Sequence, residues 1–212
     1  MPHLILASNS PRRKQLLTEW GIKFKIKPSQ VDEEELEVKL AHVEPGELAE
    51  SLAVAKAVEV SKRVGKGDIV LGVDTLVNLN GEILGKPADL AEAVRLLQKQ
   101  QGAIQQVVSG LALARGGELI ACDQVTTIVK MKPVSLYKIK KYVETEKPLD
   151  KAGAYAIQEG AGEFVEYYEG CFFNIVGLPL CKLQEMLRRV APELVVPADL
   201  LAYCVNKQRV YM

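Results

Sequence analysis

The chain of 212 residues reads as a mixed α/β sheet with helices packed on it, and three observations predict that class. Short apolar, β-branched runs alternate with segments whose apolar residues recur at helical spacing. Two strand runs fold back at tight-turn signals, Asn80-Gly81 and Gly116-Gly117, which makes part of the sheet antiparallel. Hydrophobic residues make up 48% of the chain, an ample core for one domain or for two small lobes around a cleft.

His3 to Ala7 is a short buried strand. Ser10 then caps a helix that has Pro11 at its first position, Leu16, Leu17 and Trp20 as its apolar stripe, and Gly21 at its end. Phe24 to Lys27 is a second strand. Residues 28–45 form a polar connection carrying the acidic run Asp32-Glu33-Glu34-Glu35, and a loop of that length is functional or mobile by expectation. Pro45 opens a long helix to about Arg63, with a stripe through Leu48, Leu52, Ala55 and Val58 or Glu59, stopped by Gly65 and Gly67. Asp68 to Leu79 is the central strand, turning at Asn80-Gly81 so that Ile83 and Leu84 return along it.

Ala88 to Gln101 is helical, with Ala91, Val94 and Leu97 inward. Val107 to Ala114 and Leu119 to Met131 are two longer strands, Ser135 to Val143 a helix, and Leu178 to Val190 another with Leu180, Leu183 and Leu187 facing the core. The segment between these last two helices is rich in Gly and aromatics. No repeat, low-complexity tract or Ser/Gly linker marks a boundary, so residues 1–212 are taken as one domain.

Lys plus Arg equals Asp plus Glu at 27 each, so no general field draws the chain to nucleic acid or to an anionic membrane. Any positive charge that matters is local. No basic N-terminal segment precedes a long apolar run, and the apolar stretches stop short of a membrane span, which predicts a cytoplasmic protein. Cys122, Cys171, Cys181 and Cys204 form no C-x-x-C pair and are expected to be reduced, buried small hydrophobes. With only His3 and His42 present, a histidine triad or a multi-histidine metal site is excluded.

The chemistry concentrates at three places. Ser8-Asn9-Ser10-Pro11-Arg12-Arg13 joins a strand to a helix start, where free backbone N–H groups, the positive end of the helix dipole and two forked guanidiniums suit a phosphate. Within Ile69 to Val77 a single carboxylate, Asp74, falls where both flanks demand burial. An unpaired acid there is costly, so it needs a metal ion, a lysine or a polarised water beside it. Lys86, in Gly81-Glu82-Ile83-Leu84-Gly85-Lys86-Pro87, does not form a P-loop, because the spacing is one residue short and Pro87 stands where Ser or Thr is required. As a point charge near Asp74 it can still reach a phosphate or tune the acid. Lys56, among small apolar residues on a helix, ordinarily snorkels to solvent. The block from Pro148 to Gly160 interleaves small residues with Asp, Lys, Tyr and Gln, as a backbone that approaches a ligand closely does, and Gln158 both donates and accepts.

Taken together, S-N-S-P-R-R, the V-D-E turn, L-A-x-x-K-A, G-V-D-T, G-K-P, D-K-A-G-A-Y and E-G-x-x-x-N-I-V-G-L-P-L, in this order over residues 3 to 190, resemble the Maf family of nucleoside triphosphate pyrophosphatases. The resemblance implies an ITPase-like fold, an elongated twisted sheet in two lobes with a central cleft. It also implies a homodimer that binds a nucleoside triphosphate and releases pyrophosphate. It makes Asp74 the proton acceptor that activates water, and Glu33 with Asp74 the holders of a divalent cation, Mg2+ or Mn2+. Ser8, Arg12 and Arg13 fall at the phosphate tail, helped by Lys56 and Lys86. Arg12, Thr75 and Gln158 fall at positions that separate branches by base preference. The 7-methyl-GTP branch tends to carry Trp, Gln and a Ser-Glu pair there, whereas this chain has Arg, Thr and Ile-Gln, which is similar to the dTTP/UTP branch. Hydrolysis of 7-methyl-GTP and a non-hydrolytic role in inhibiting septum formation are the alternatives. Gln105-Gln106 and Cys171-Phe172-Phe173 depart from a more usual Thr-His and Ser-Tyr, and residues 191–212 lie outside the resemblance.

Overall fold

The computed structural model describes residues 2–158, 160–195 and 209–212. An eight-stranded mixed sheet runs through them in the order β2-β1-β3-β5-β6-β7-β8, with β4 paired to β3. Strands β1 (Leu4–Leu6), β2 (Phe24–Ile26) and β3 (Ile69–Leu79) are parallel. The strands β4 (Glu82–Leu84), β5 (Ile104–Arg115), β6 (Glu118–Met131), β7 (Val165–Glu169) and β8 (Arg209–Tyr211) each run antiparallel to their neighbours. The mixed class and both predicted tight turns are therefore present. β8 adds an edge strand in the tail, and residues 196–208 of that tail lie outside the described residues.

The sheet carries helices on both faces. On one face lies α3 (Pro45–Ser61), whose Ala49, Ala53, Lys56, Ala57 and Val60 are buried. This differs from the predicted stripe, since Ala55, Val58 and Glu59 are only half-buried. Two glycines cause the difference. A side chain at Gly72 would come within 2.1 Å of the Ala53 carbonyl and one at Gly110 within 2.2 Å of the Ala49 carbonyl, so the helix settles its small residues directly on the strands. The larger cluster of apolar residues fills the other face. There α1 (Pro11–Glu19), α4 (Leu90–Gln100), α5 (Leu136–Glu146), α6 (Phe172–Val176) and α7 (Leu180–Val190) meet the odd-numbered residues of β3. Trp20, at the end of α1, packs edge-on against Phe173 with centroids 5.3 Å apart.

The polar connection expected over residues 28–45 contains a helix, α2 (Glu33–Lys39). Asp32 caps it by accepting from the Glu35 backbone N–H at 2.9 Å, and the acidic run occupies the first turn, where the helix dipole favours negative charge. Of the cysteines expected to be reduced and buried, Cys171 is free and buried as expected, whereas Cys122 is free but exposed beside Glu50, with its thiol pushed up to about 11, and Cys181 is disulfide-bonded.

β3 pairs with β1 through residues 69–71 and with β4 through residues 77–79 along one edge. Between them, residues 72–76 have no strand partner on that side among the described residues. Alternate side chains point to opposite faces of a sheet, so an open edge lets Asp74 and Thr75 border the same space from its two sides. This gap positions the site.

Candidate active site

A cavity of about 420 Å³ opens at the gap, and Ser8, Arg12, Arg13, Glu33, Lys56, Asp74, Thr75, Lys86 and Gln158 all line it. The structure thus brings together every residue singled out from the sequence. Its wall holds five cationic side chains, the fifth being Lys151, and three carboxylates, the third being Asp150. A chain with no net charge therefore concentrates a positive balance at one place.

On the α3 side of the sheet, the Lys56 ammonium lies 2.6 Å from Asp74 Oδ1 and 2.8 Å from Glu33 Oε2. Lys56 does not snorkel; it is 5% exposed and Asp74 7%. Of the partners that the sequence left open for Asp74, the structure supplies a lysine. Glu33 arrives on the first turn of α2 and is partly exposed. One ammonium against two carboxylates leaves negative charge uncompensated. Nearby Glu37 registers it: desolvation, then the charges of Asp74 and Glu33, push its carboxyl above the ordinary range.

On the opposite side, Arg13 is committed to the wall. Its Nε donates to the Gly177 carbonyl at 2.9 Å, and its two terminal nitrogens donate to Ser8 Oγ at 3.1 Å and Thr75 Oγ1 at 3.2 Å. Burial lowers its guanidinium from the usual value, Asp74 raises it, Arg12 lowers it and Glu33 raises it, with burial dominant. Ser10 caps α1 as expected, accepting from the Arg13 backbone N–H.

Arg12, next to it, reaches across the mouth to Asp150, with its guanidinium 2.9 Å from Oδ2 and 3.4 Å from the Asp150 carbonyl. The other carboxylate oxygen of Asp150 takes the Lys151 ammonium at 2.8 Å. Lys86 and Gln158 lie exposed on the rim, and Lys86 has no ion-pair partner among the described residues. Apolar side chains, Val77, Val107, Ile157, Ile175 and Val176, line the cavity as well, together with Tyr155.

Sequence reasoning reached the Pro148 to Gly160 block but did not single out Asp150 or Lys151 within it. The adjacent Asp-Lys pair among small residues was the available signal. It missed Ser109, and it reached Gly177 only within N-I-V-G-L-P-L without assigning its carbonyl a part, because a serine inside an apolar strand and a backbone oxygen carry no mark of their own.

The donor set fits a divalent cation in one way only. No group of three His, Cys, Asp or Glu residues gathers among the described residues, so an all-protein cage is not available. Glu33 and Asp74 each give one oxygen to the Lys56 ammonium, and their other oxygens, beside a cation-lined pocket, suit a hard ion that takes the rest of its ligands from phosphate and water.

The Maf-like protein family matches residues 3–190. A dTTP/UTP pyrophosphatase of Symbiobacterium thermophilum is 47% identical over 88% of this chain and 93% of its own. Others from Alkaliphilus metalliredigens and Desulforamulus reducens are 42% and 41% identical, over 89% and 92% of this chain and 96% and 100% of theirs. Among solved structures, a HAM1 protein from Coxiella burnetii is 15% identical over 90% of this chain and 100% of that one, with a TM-score of 0.42. With a family match that spans nearly the whole chain and relatives this similar at full length, the chain belongs to the Maf family.

Proposed function

We propose that this chain is a nucleoside triphosphate pyrophosphatase that hydrolyses dTTP and UTP to the monophosphate and pyrophosphate. The observation that carries the reaction is the gap in β3, which sets one buried, cation-bound acid, Asp74, against a wall of guanidinium, hydroxyl and ammonium groups in a single cavity. The names of the relatives supply the nucleotides.

In this reading Asp74 is the general base. Its carboxylate accepts a proton from a water molecule, whose oxygen attacks the α-phosphorus as the bond from that phosphorus to the bridging β-phosphate oxygen breaks. Lys56 holds the acid in place and compensates its buried charge. Pyrophosphate leaves with developing negative charge, which Arg12, Lys86 and Lys151 are placed to receive, while Arg13 with Ser8 and Thr75 forms the fixed wall against which the phosphates rest. Glu33 and Asp74 would hold a divalent cation, Mg2+ or Mn2+, and such an ion when bound supplies Lewis-acid polarisation of water and phosphate oxygens. The base packs against the apolar lining, with the Gln158 carboxamide to pair with its edge. Within the same reading the enzyme works in the cytoplasm, as its sequence character predicts, and as a homodimer, as the resemblance implies.

The test is a panel of nucleoside triphosphates assayed with Mg2+ and with Mn2+, scored separately for pyrophosphate and for single phosphate. Pyrophosphate as the first product, with dTTP and UTP preferred, is the expected result. Phosphate released first, or preference for 7-methyl-GTP, overturns the bond position or the substrate respectively.

A further inference from the structure

Ser109, on β5, is fully buried and lies directly opposite Thr75 in the β3–β5 pairing, with the two side-chain oxygens 2.8 Å apart. It does not line the cavity. Its hydroxyl has no other hydrogen-bond partner among the described residues, whereas Thr75 Oγ1 also accepts from Arg13 at 3.2 Å and reaches the Gly177 carbonyl at 3.4 Å.

Counting protons settles the direction. If Thr75 donated to Ser109, the Ser109 proton would be buried with no acceptor, and a buried unmade hydrogen bond is costly. If Ser109 donates to Thr75, the Thr75 proton turns to the Gly177 carbonyl, however long that contact, and every polar atom is used. The oxygen of Thr75 then faces Arg13 purely as an acceptor. The Gly177 carbonyl in turn takes Arg13 Nε at 2.9 Å, so the guanidinium is pinned from two sides by groups that Ser109 orders.

We infer that Ser109 is a positioning residue, which through Thr75 locks the Arg13 guanidinium into the substrate-facing wall of the cavity. Without the Ser109 hydroxyl, Thr75 keeps only the 3.2 Å bond from Arg13 and the long contact to the Gly177 carbonyl, so Arg13 loses a firmly fixed acceptor, although no atom in contact with the cavity has been changed. The wall is complete before substrate arrives and is not remade during reaction, so the expected cost falls on KM more than on kcat.

The kinetic arm of the test rests on the pyrophosphatase reading and the spectroscopic arm does not. Ser109→Ala, Thr75→Ala and the double variant are assayed with UTP, and the Arg13 Nε–H signal is followed by NMR in the same proteins. Ser109→Ala is expected to raise KM about fivefold, the value of one hydrogen bond, with kcat nearly unchanged. Adding it to Thr75→Ala has no further effect, because Ser109 acts only through Thr75. The Arg13 Nε–H exchanges faster with solvent in Ser109→Ala, and Ser109→Thr, which keeps the donor, restores both readouts. Additive losses in the double variant, or an unchanged Arg13 signal in Ser109→Ala, overturn the inference. A wild-type protein inactive on UTP removes the pyrophosphatase reading, while the Arg13 signal still decides the role of Ser109. Should urea unfolding show Ser109→Ala to be misfolded, Ser109→Cys takes its place, keeping the volume with a weaker donor, and is judged by the same two readouts.

Discussion

The Lys56 ammonium and the Asp74 carboxylate lie 2.6 Å apart on a helix and a strand, and each is more than nine-tenths buried. A buried pair adds little net stability, because desolvation of both charges offsets their attraction, but removal of one partner strands the other. Glu33 shares the same ammonium from the partly exposed rim. The lysine is thus the hub that joins α2 and α3 to the central strand.

Lys56→Met is therefore expected to cost about 3 kcal/mol of stability and to abolish turnover, since it leaves Asp74 buried and uncompensated. Asp74→Asn keeps the fold, because Glu33 still holds Lys56, and loses about a thousandfold in kcat through the missing base. The double variant recovers much of the stability lost by Lys56→Met. Urea unfolding with pyrophosphate release distinguishes the two effects, and near-normal turnover by Asp74→Asn removes that residue from its role.

The two neighbouring arginines are predicted to behave differently. Arg13 uses three nitrogens on three fixed acceptors, a geometry that a lysine cannot reproduce, so Arg13→Lys is expected to cost about 2 kcal/mol of stability and to raise KM. Arg12 is held only by the half-exposed Asp150, and Arg12→Lys is expected to change stability by less than about 0.5 kcal/mol. Arg12→Ala raises KM for UTP about tenfold at unchanged thermal midpoint. Equal destabilisation by the two lysine variants contradicts the assignment of Arg13 to the wall and Arg12 to the mouth.

Asp150 occupies two of the cations that a phosphate tail needs. Burial works to raise its carboxyl, but the hydrogen bond from Lys151 and the charge of Arg12 outweigh it and hold the group below the usual carboxylate range. An acid held low in the folded state contributes stability above its unfolded value and loses it as pH falls through the folded one. At 52% side-chain exposure that contribution is under about 0.5 kcal/mol. Asp150→Asn is expected to lose this small increment at pH 7, to match the wild type once the pH has fallen through the lowered value of that carboxyl, and to lower KM for UTP about threefold by removing the competing carboxylate. A raised KM shows instead that Asp150 orients Arg12 for substrate.

Much of this arrangement was legible because its parts are local. Ser10 and Pro11 mark the start of α1, and a single acid in an apolar run marks Asp74, whatever the rest of the fold does. α2 was hidden because five of its seven residues are charged and none is buried, although Asp32 with Glu35 three residues on is the pattern of a helix start. The fate of Lys56 was hidden for a different reason. Its burial depends on how closely α3 approaches the sheet, and that distance is set by glycines far along the chain. The open edge of β3 is likewise a property of three strands together, written in none of them.

Gly110 lies directly opposite Asp74 in the β3–β5 pairing, on the face that meets α3. A Cβ there would come within 2.2 Å of the Ala49 carbonyl, 2.3 Å of its carbon and 2.4 Å of the Glu50 nitrogen, all backbone atoms that cannot rotate away. Ala49 and Lys56 lie two turns apart on the same face of α3, so a helix lifted at Ala49 also lifts the ammonium from Asp74. Gly110→Ala is expected to destabilise by about 3 kcal/mol through overpacking and to lower kcat even at temperatures where the protein remains folded. Gly117→Ala, at a hairpin turn where a Cβ would meet only the flexible Lys62 side chain, is the control: its strain comes from a positive φ of 95°, and it is expected to cost stability without changing kcat. If Gly110→Ala unfolds earlier yet turns over UTP at the wild-type rate when folded, the close seat of α3 serves stability alone and the Lys56–Asp74 contact does not depend on it.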